Sequence, residues 1–323
     1  MSAFHALAVT GPTTSGKTAL SIPLAQRLRG EIVSMDSRQV YRGMDVGTDK
    51  VGDADRARVP HHGLDLVDPN QRYSAAEWAR SARTWIRQIR ARGHVPLLVG
   101  GTGFYLKALT EPVFREPDRD PDRRRRLEEW LADRPRKELE RWVETLDPER
   151  ATVAREGGPQ RLIRSLEVAL LTGHSLSWWH QNAPPEGPAI PVAVVVLSLP
   201  RERLDRQIEA RAHRMFETGI LEEVRELLNA GYTAQDPGMT GTGYREAAAV
   251  LAGELTVEEA ADRMQRATRQ YARRQLTWFR NQLPDEGVLE VDATQPVQDQ
   301  VEEVMRWWER IGSTEGGVGE GRN

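Results

Sequence analysis

Cysteine is absent from all 323 residues, which excludes disulfides, thiolate metal sites and a cysteine nucleophile. No apolar run approaches the roughly 18 residues that suggest a membrane-spanning helix. Neither sign of charge is in large excess: 45 Lys and Arg against 48 Asp and Glu leave a net charge of −3. That balance argues mildly against nucleic-acid binding, but the sharper test is whether cations cluster on one surface. RDPDRRRR at 119–126 is one dense run, and Arg263, Arg266, Arg269, Arg273 and Arg280 recur at helical spacing. A solvated helix face produces the same pattern. The opening MSAFHALAV has no basic residues ahead of its apolar stretch, so it reads as a first buried strand and not a secretory leader. These absences set the expectation of a reducing cytoplasm. Nothing in the chain demands more than a monomer.

Hydrophobic residues make up 39% of the chain, enough for a substantial core, and the length suits one large domain or two ordinary ones. Residues 6–9 form a short apolar strand, GPTTSGKT follows, and 19–28 has helical composition up to Gly30. Residues 31–34 read as a second strand ending near Asp36. Ser74 and Glu77 make a capping box for a helix with Trp78, Ala82, Trp85 and Ile89 on one face. Residues 95–99 form a third strand running into Gly100, Gly101 and Thr102, and 192–199 a fourth. Strands alternating with helices imply a parallel α/β sheet whose ligands sit beyond the carboxyl ends of its strands.

Between Pro112 and Pro191 no good strand occurs, while 123–131, 136–146 and 160–171 look helical. The expected organisation is an α/β, P-loop NTPase-like parallel sheet core with an inserted all-helical domain. The core covers 1–112 and 191–311, the insertion 113–190, and 312–323 forms a polar, disordered tail. Within the second part of the core, 201–230 reads as one long helical stretch, followed by helices at 244–251, 257–281 and 297–311.

The strongest motif is Gly11, Pro12, Thr13, Thr14, Ser15, Gly16, Lys17 and Thr18, a G-x-x-x-x-G-K-[ST] run in its proper strand-loop-helix setting. Glycines let the backbone turn tightly, so N–H groups and the helix N-terminus converge on phosphate oxygens. Lys17 adds a point charge, and Thr18 offers its hydroxyl to a phosphate-bound Mg²⁺. Taken alone the loop suggests ATP. Asp36 lies at a strand end near the phosphate, where a carboxylate orders Mg²⁺, accepts a proton or merely caps a helix. Residue type does not choose among these.

The ordered set of GPTTSGKT, SMDSRQVYRGMDVGTDK (34–50), VPHHGLDLVDP (59–69), YSAAEW (73–78), LLVGGTGFYLKAL (97–109), GPQR (158–161), GYRE (243–246) and TRQYARRQLTW (268–278) resembles the tRNA dimethylallyltransferase family of bacterial type. The resemblance spans about residues 5–311. It implies transfer of a dimethylallyl group from dimethylallyl diphosphate to N6 of adenosine 37 in tRNA, with Mg²⁺ as cofactor. On that reading the P-loop holds the leaving diphosphate with Lys17 and Arg211, Asp36 is the general base, and Thr102 is a second polar contact at the reacting groups. It further implies tRNA contacts at Asp36, Ser37, Arg38, Gln39 and Thr102, at Gln160, Arg161, Leu162, Ile163 and Arg164, and from Arg124 to the RNA backbone. The modified base would leave the anticodon stack to enter the site.

Three positions depart from the family pattern: Thr14 for a common alanine, Val51 for a proline, and Thr242 for an aliphatic residue. Without cysteines the zinc finger of eukaryotic members is excluded. His61 and His62, adjacent in an extended segment, point apart and make a poor metal pair. Two other activities compete with tRNA prenylation. One is an adenylate isopentenyltransferase acting on free AMP, ADP or ATP, which has no need of a helical arm carrying Arg124 and Gln160. The other is a P-loop kinase or NTPase, for which the chain offers no convincing DxxG switch or adenine-binding motif.

Overall fold

The computed structural model describes residues 4–111, 114–115 and 120–313. They fall into two compact units, Met1–Glu111 with Ala189–Asn323, and Pro112–Pro188. In chain order the first unit begins with β1 (Ala6–Thr10), α1 (Lys17–Leu28), β2 (Gly30–Ser34), α2 (Asp53–Arg58), β3 (His61–His62), α3 (Ala75–Ala91), β4 (Val95–Val99) and α4 (Gly103–Thr110). The second unit holds α5 (Pro121–Ala132), α6 (Arg136–Leu146), α7 (Ala151–Glu156), α8 (Pro159–Thr172) and α9 (Leu176–Asn182). The first unit resumes with β5 (Val192–Ser198), α10 (Arg201–Glu217), α11 (Ile220–Asn229), α12 (Tyr244–Leu251), α13 (Val257–Gln282), β6 (Val288–Asp292) and α14 (Val297–Ser313). Where the chain leaves and returns, Ile190 N–H donates to the Leu109 carbonyl at 3.0 Å.

The strands pair in the order β3-β2-β4-β1-β5-β6, all parallel. This is the expected α/β fold, with two strands more than the apolar pattern foretold. Both additions are edges. β3 is two histidines long and offers no hydrophobic run, and β6 buries only Val291. Central β1 is buried at every position, as a strand covered on both faces must be. One core layer joins Leu7, Leu24, Leu97 and Val195 to Trp307 of α14.

Ser74 and Glu77 form the expected capping box, and α3 buries Trp78, Ala82 and Ile89. Trp78 Nε1 donates to the Ser34 carbonyl at 2.9 Å, which ties this helix to the carboxyl end of β2. The stretch 201–230 is not one helix. Gly219, at φ 109°, separates α10 from α11 in a left-handed conformation that ends the first and starts the second. Gly312 and Ser313 continue α14 and are not part of a tail; the rest of that expected segment, 314–323, lies outside the described residues.

Within the second unit the described residues form no strand beyond an isolated bridge between Phe114 and Pro185. Leu131, Leu139, Val143, Leu162 and Leu166 make its core. Buried Glu167 on α8 accepts from Arg124 of α5 and Arg164 of its own helix, at 3.0 and 2.9 Å.

Candidate active site

β2, β4 and β1 are neighbours, so the loops at their carboxyl ends converge. Ser34 lies level with Val99, and Val99 with Val9. Asp36, Thr102 and the 11–16 loop therefore emerge side by side. Gly100 makes the closeness possible, because a Cβ there would collide with the Met35 carbonyl. Instead Thr102 N–H donates to that carbonyl at 3.3 Å, and Thr102 Oγ1 accepts from Ser37 N–H at 3.1 Å. Asp36 Oδ1 accepts from Arg38 N–H at 2.8 Å, closing an Asx-turn. Asp36 thus caps a turn and not a helix. Arg38 directs its guanidinium at the Pro237 carbonyl, 2.9 Å away.

The phosphate loop ends at Gly16, φ 88°, from which α1 starts. Lys17 Nζ donates to the carbonyls of Gly11 and Pro12 at 3.2 and 2.7 Å. Burial pushes its ammonium down to about 8, with Asp36 and Asp49 acting upward and Arg211 downward. The Thr14 and Ser15 hydroxyls are buried and find no partner among the described residues. Thr14 sits at φ 64°, a left-handed conformation rare for threonine. Of the two residues only Thr14 lines the neighbouring cavity, where its hydroxyl, the ammonium and a helix N-terminus suit an oxyanion with several oxygens. The exposed Thr18 hydroxyl borders the same cavity, where it could serve a phosphate-bound cation.

That cavity has a volume of about 460 Å³ and brings Lys17, Thr18, Asp36, Arg211, Tyr271 and Gln275 together. It falls within the range of about 300–1,000 Å³ usual for small-ligand pockets. Arg211 donates to Thr13 Oγ1 at 3.1 Å and lies 3.5 Å from the Asp49 carboxylate. The segment bearing Asp49 is itself fixed from behind. Glu223 of α11 accepts from the N–H groups of Asp45, Val46 and Gly47 and from the Tyr244 hydroxyl. Lys50, whose side chain is fully buried, bonds the Tyr41 carbonyl, Asp45 and Asp65.

Tyr271 leaves 38% of its surface exposed, yet burial at its hydroxyl end pushes the phenol up to about 12. The Asp36 charge adds to that shift, and a hydrogen bond with the Thr102 side chain opposes it. Gln39 also borders the cavity and accepts from the Ser34 hydroxyl at 2.9 Å. The described residues that line this cavity all belong to the first unit. Gln160 and Arg161 are exposed at the start of α8, whereas Leu162 is fully buried and Ile163 packs on the same core. Leu162 therefore holds its helix in place and presents no side chain to a partner. Arg124 is one-third exposed and engaged by Glu128 and Glu167.

A parallel sheet, a phosphate-loop motif on its central strand and an acid beside it define a P-loop α/β protein. The family model for IPP transferase matches residues 39–282, and one for isopentenyl transferase matches 4–58. Similar proteins include the tRNA dimethylallyltransferases of Geobacter metallireducens, 44% identical over 84% of this chain and 88% of that one, and Roseiflexus sp., 42% identical over 94% and 98%. The full-length tRNA isopentenylpyrophosphate transferase from Bacillus halodurans superposes with a TM-score of 0.69 at 33% identity, covering 97% of this chain and 98% of its own. A eukaryotic dimethylallyltransferase caught acting on tRNA gives 0.74 at 27%, over 94% of this chain and 77% of its own. The chain belongs to the IPP transferase family.

Sequence reasoning assigned no role to Tyr271, Gln275, Asp49 or Thr48, all of which line the cavity. Tyr271 and Gln275 sit four residues apart on α13, a spacing that puts them on one helix face.

Proposed function

We propose that this protein moves a dimethylallyl group from dimethylallyl diphosphate to N6 of adenosine 37 in the anticodon loop of tRNA. The observation that carries the reading is that the phosphate loop and Asp36 border one cavity. A donor diphosphate bound at Lys17, Arg211 and Thr14 puts its allylic carbon in the space that Asp36 faces.

The N6 lone pair forms the new C–N bond as the allylic C–O bond to diphosphate breaks. Negative charge grows on the departing oxygen, where Lys17 and Arg211 stabilise it. Asp36 accepts the N6 proton, which leaves a neutral secondary amine on the base. Thr102 holds the Ser37 backbone through its hydroxyl and so fixes the turn carrying Asp36. The Thr18 hydroxyl would help hold a Mg²⁺ ion, which would supply further charge neutralisation to the leaving group. Gln160, Arg161 and Arg124 on the helical unit would grip the RNA backbone, setting register while the loop bases are read elsewhere.

The test is to incubate the protein with labelled dimethylallyl diphosphate, Mg²⁺ and either unmodified tRNA or AMP. Label entering tRNA as N6-dimethylallyladenosine is the expected result. Label entering AMP but not tRNA overturns the reading.

A further inference from the structure

The loops that hold the two reactants are joined at their bases by the sheet. Gly100 N–H donates to the Val9 carbonyl at 3.2 Å, and Thr10 Oγ1 donates to the Gly100 carbonyl at 2.8 Å. Beyond that level no direct hydrogen bond links residues 11–16 to 101–103 among the described residues. One side chain spans the gap. Gln275 Oε1 accepts from Thr13 N–H at 2.9 Å, and Gln275 Nε2 donates to the Gly101 carbonyl at 2.8 Å. The glutamine is 6% exposed, and Tyr271, one turn earlier on α13, engages the Thr102 side chain.

We infer that Gln275 is a positioning residue for the transfer reaction, an oriented amide strut that sets the spacing between the diphosphate-holding loop and the acceptor-side loop. Its polarity is fixed by its partners. A flipped amide would set NH₂ against an N–H and carbonyl against carbonyl, so only one orientation works. A carboxylate could accept from Thr13 but would face the Gly101 carbonyl with no proton to give. The glycine opposite belongs to the same device, since a Cβ on Gly101 would collide with Gln275 Nε2 and displace it.

The strut matters because alkylation needs the nucleophile and the allylic carbon at near-contact distance, and small misplacement costs rate more than binding. Loss of the strut leaves Lys17 and Arg211 able to capture diphosphate, so the effect falls on kcat and not on KM. The inference rests on the tRNA-prenylation reading proposed above.

The experiment compares wild type, Gln275→Leu, Gln275→Glu, Gly101→Ala and the Gly101→Ala/Gln275→Leu double variant in steady-state transfer to unmodified tRNA. We expect kcat to fall about 100-fold for Gln275→Leu, with KM for dimethylallyl diphosphate within about threefold of wild type. Gly101→Ala should lower kcat comparably, and the double variant should be little worse than either single one. Between pH 8 and pH 5.5 the kcat ratio of Gln275→Glu to Gln275→Leu should rise about tenfold, because a protonated carboxyl regains the donor that Gly101 needs. An unaltered kcat, a flat ratio across pH or additive losses overturn the inference. If Gln275→Leu does not fold, Gly101→Ala and the pH ratio of Gln275→Glu to wild type decide it. Failure of the wild type to label tRNA counts instead against the prenylation reading.

Discussion

The two ends of the parallel sheet handle charge in opposite ways. At the amino ends of β2 and β4, buried Glu31 accepts from both Nε and NH2 of Arg92, from His62 Nε2 and from His94 Nδ1, all within 2.7–2.9 Å. Arg92 chiefly, with the two histidines, holds its carboxyl down to about 2 against the opposing effect of burial. At the carboxyl ends, Lys17 is pushed away from its charged form, and the Thr14 and Ser15 hydroxyls lack partners among the described residues. The first cluster is complete within the protein, whereas the second leaves hydroxyl donors unused among the described residues. A satisfied buried charge serves the fold, while a buried donor left unused beside a cavity points to a ligand.

If the contrast holds, substitutions at the two ends separate activity from stability. The largest effect is expected at Asp36. Asp36→Ala should lower transfer about 1,000-fold in a single-turnover assay while tRNA affinity, by filter binding, stays within about threefold. Equal loss of both would make Asp36 a binding residue and blur the comparison. Lys17 comes next. Its protonated form captures the donor, so kcat/KM for dimethylallyl diphosphate should be full below pH 8 and fall as pH rises through about 8. Lys17→Met should remove that limb and lower donor affinity about 100-fold, seen by calorimetric titration with the donor.

The opposite end answers to acid. A folded pKa below the ordinary carboxylate value means Glu31 contributes stability above about pH 4.3, lost as pH falls toward 2. Glu31→Gln should therefore cost about 2–3 kcal/mol in urea unfolding at pH 7. The penalty should shrink as pH falls, while the folded variant keeps its kcat. The smallest effect is expected at Arg124, whose guanidinium is already shared with Glu128 and Glu167. Arg124→Ala should weaken tRNA binding less than tenfold and flatten its salt slope. An unchanged slope would confine Arg124 to its own helical unit.

The same contrast explains what could be read from residues alone. The phosphate loop, the Asp36 turn and the Gly100–Gly101–Thr102 bend are contiguous stretches in which local backbone demands select residue types, so they stand out as motifs. β1, β2, β4 and β5 announce themselves as apolar runs because they are covered on both faces. The edges β3 and β6 bury too little to leave such a trace. Gly219 looks like an ordinary helical glycine until its positive φ is known. Gln275 reaches the phosphate loop across 262 residues, and Glu31 meets His94 across 63. No local pattern encodes either meeting, because a helix or strand residue reports its burial through periodicity but not the identity of its partner.

The bond between Ile190 and Leu109 has a bearing on the history of the chain. It brings the ends of the excursion to residues 112–188 within one hydrogen bond, so the strand ladder meets two adjacent ends whatever lies between them. The entropy of closing such a span grows only with the logarithm of its length. Lengthening, trimming or exchanging the module at this joint therefore disturbs the catalytic sheet far less than a change of equal size in any βα loop. It is the natural graft point of the molecule, where the inserted module can change while the sheet stays fixed.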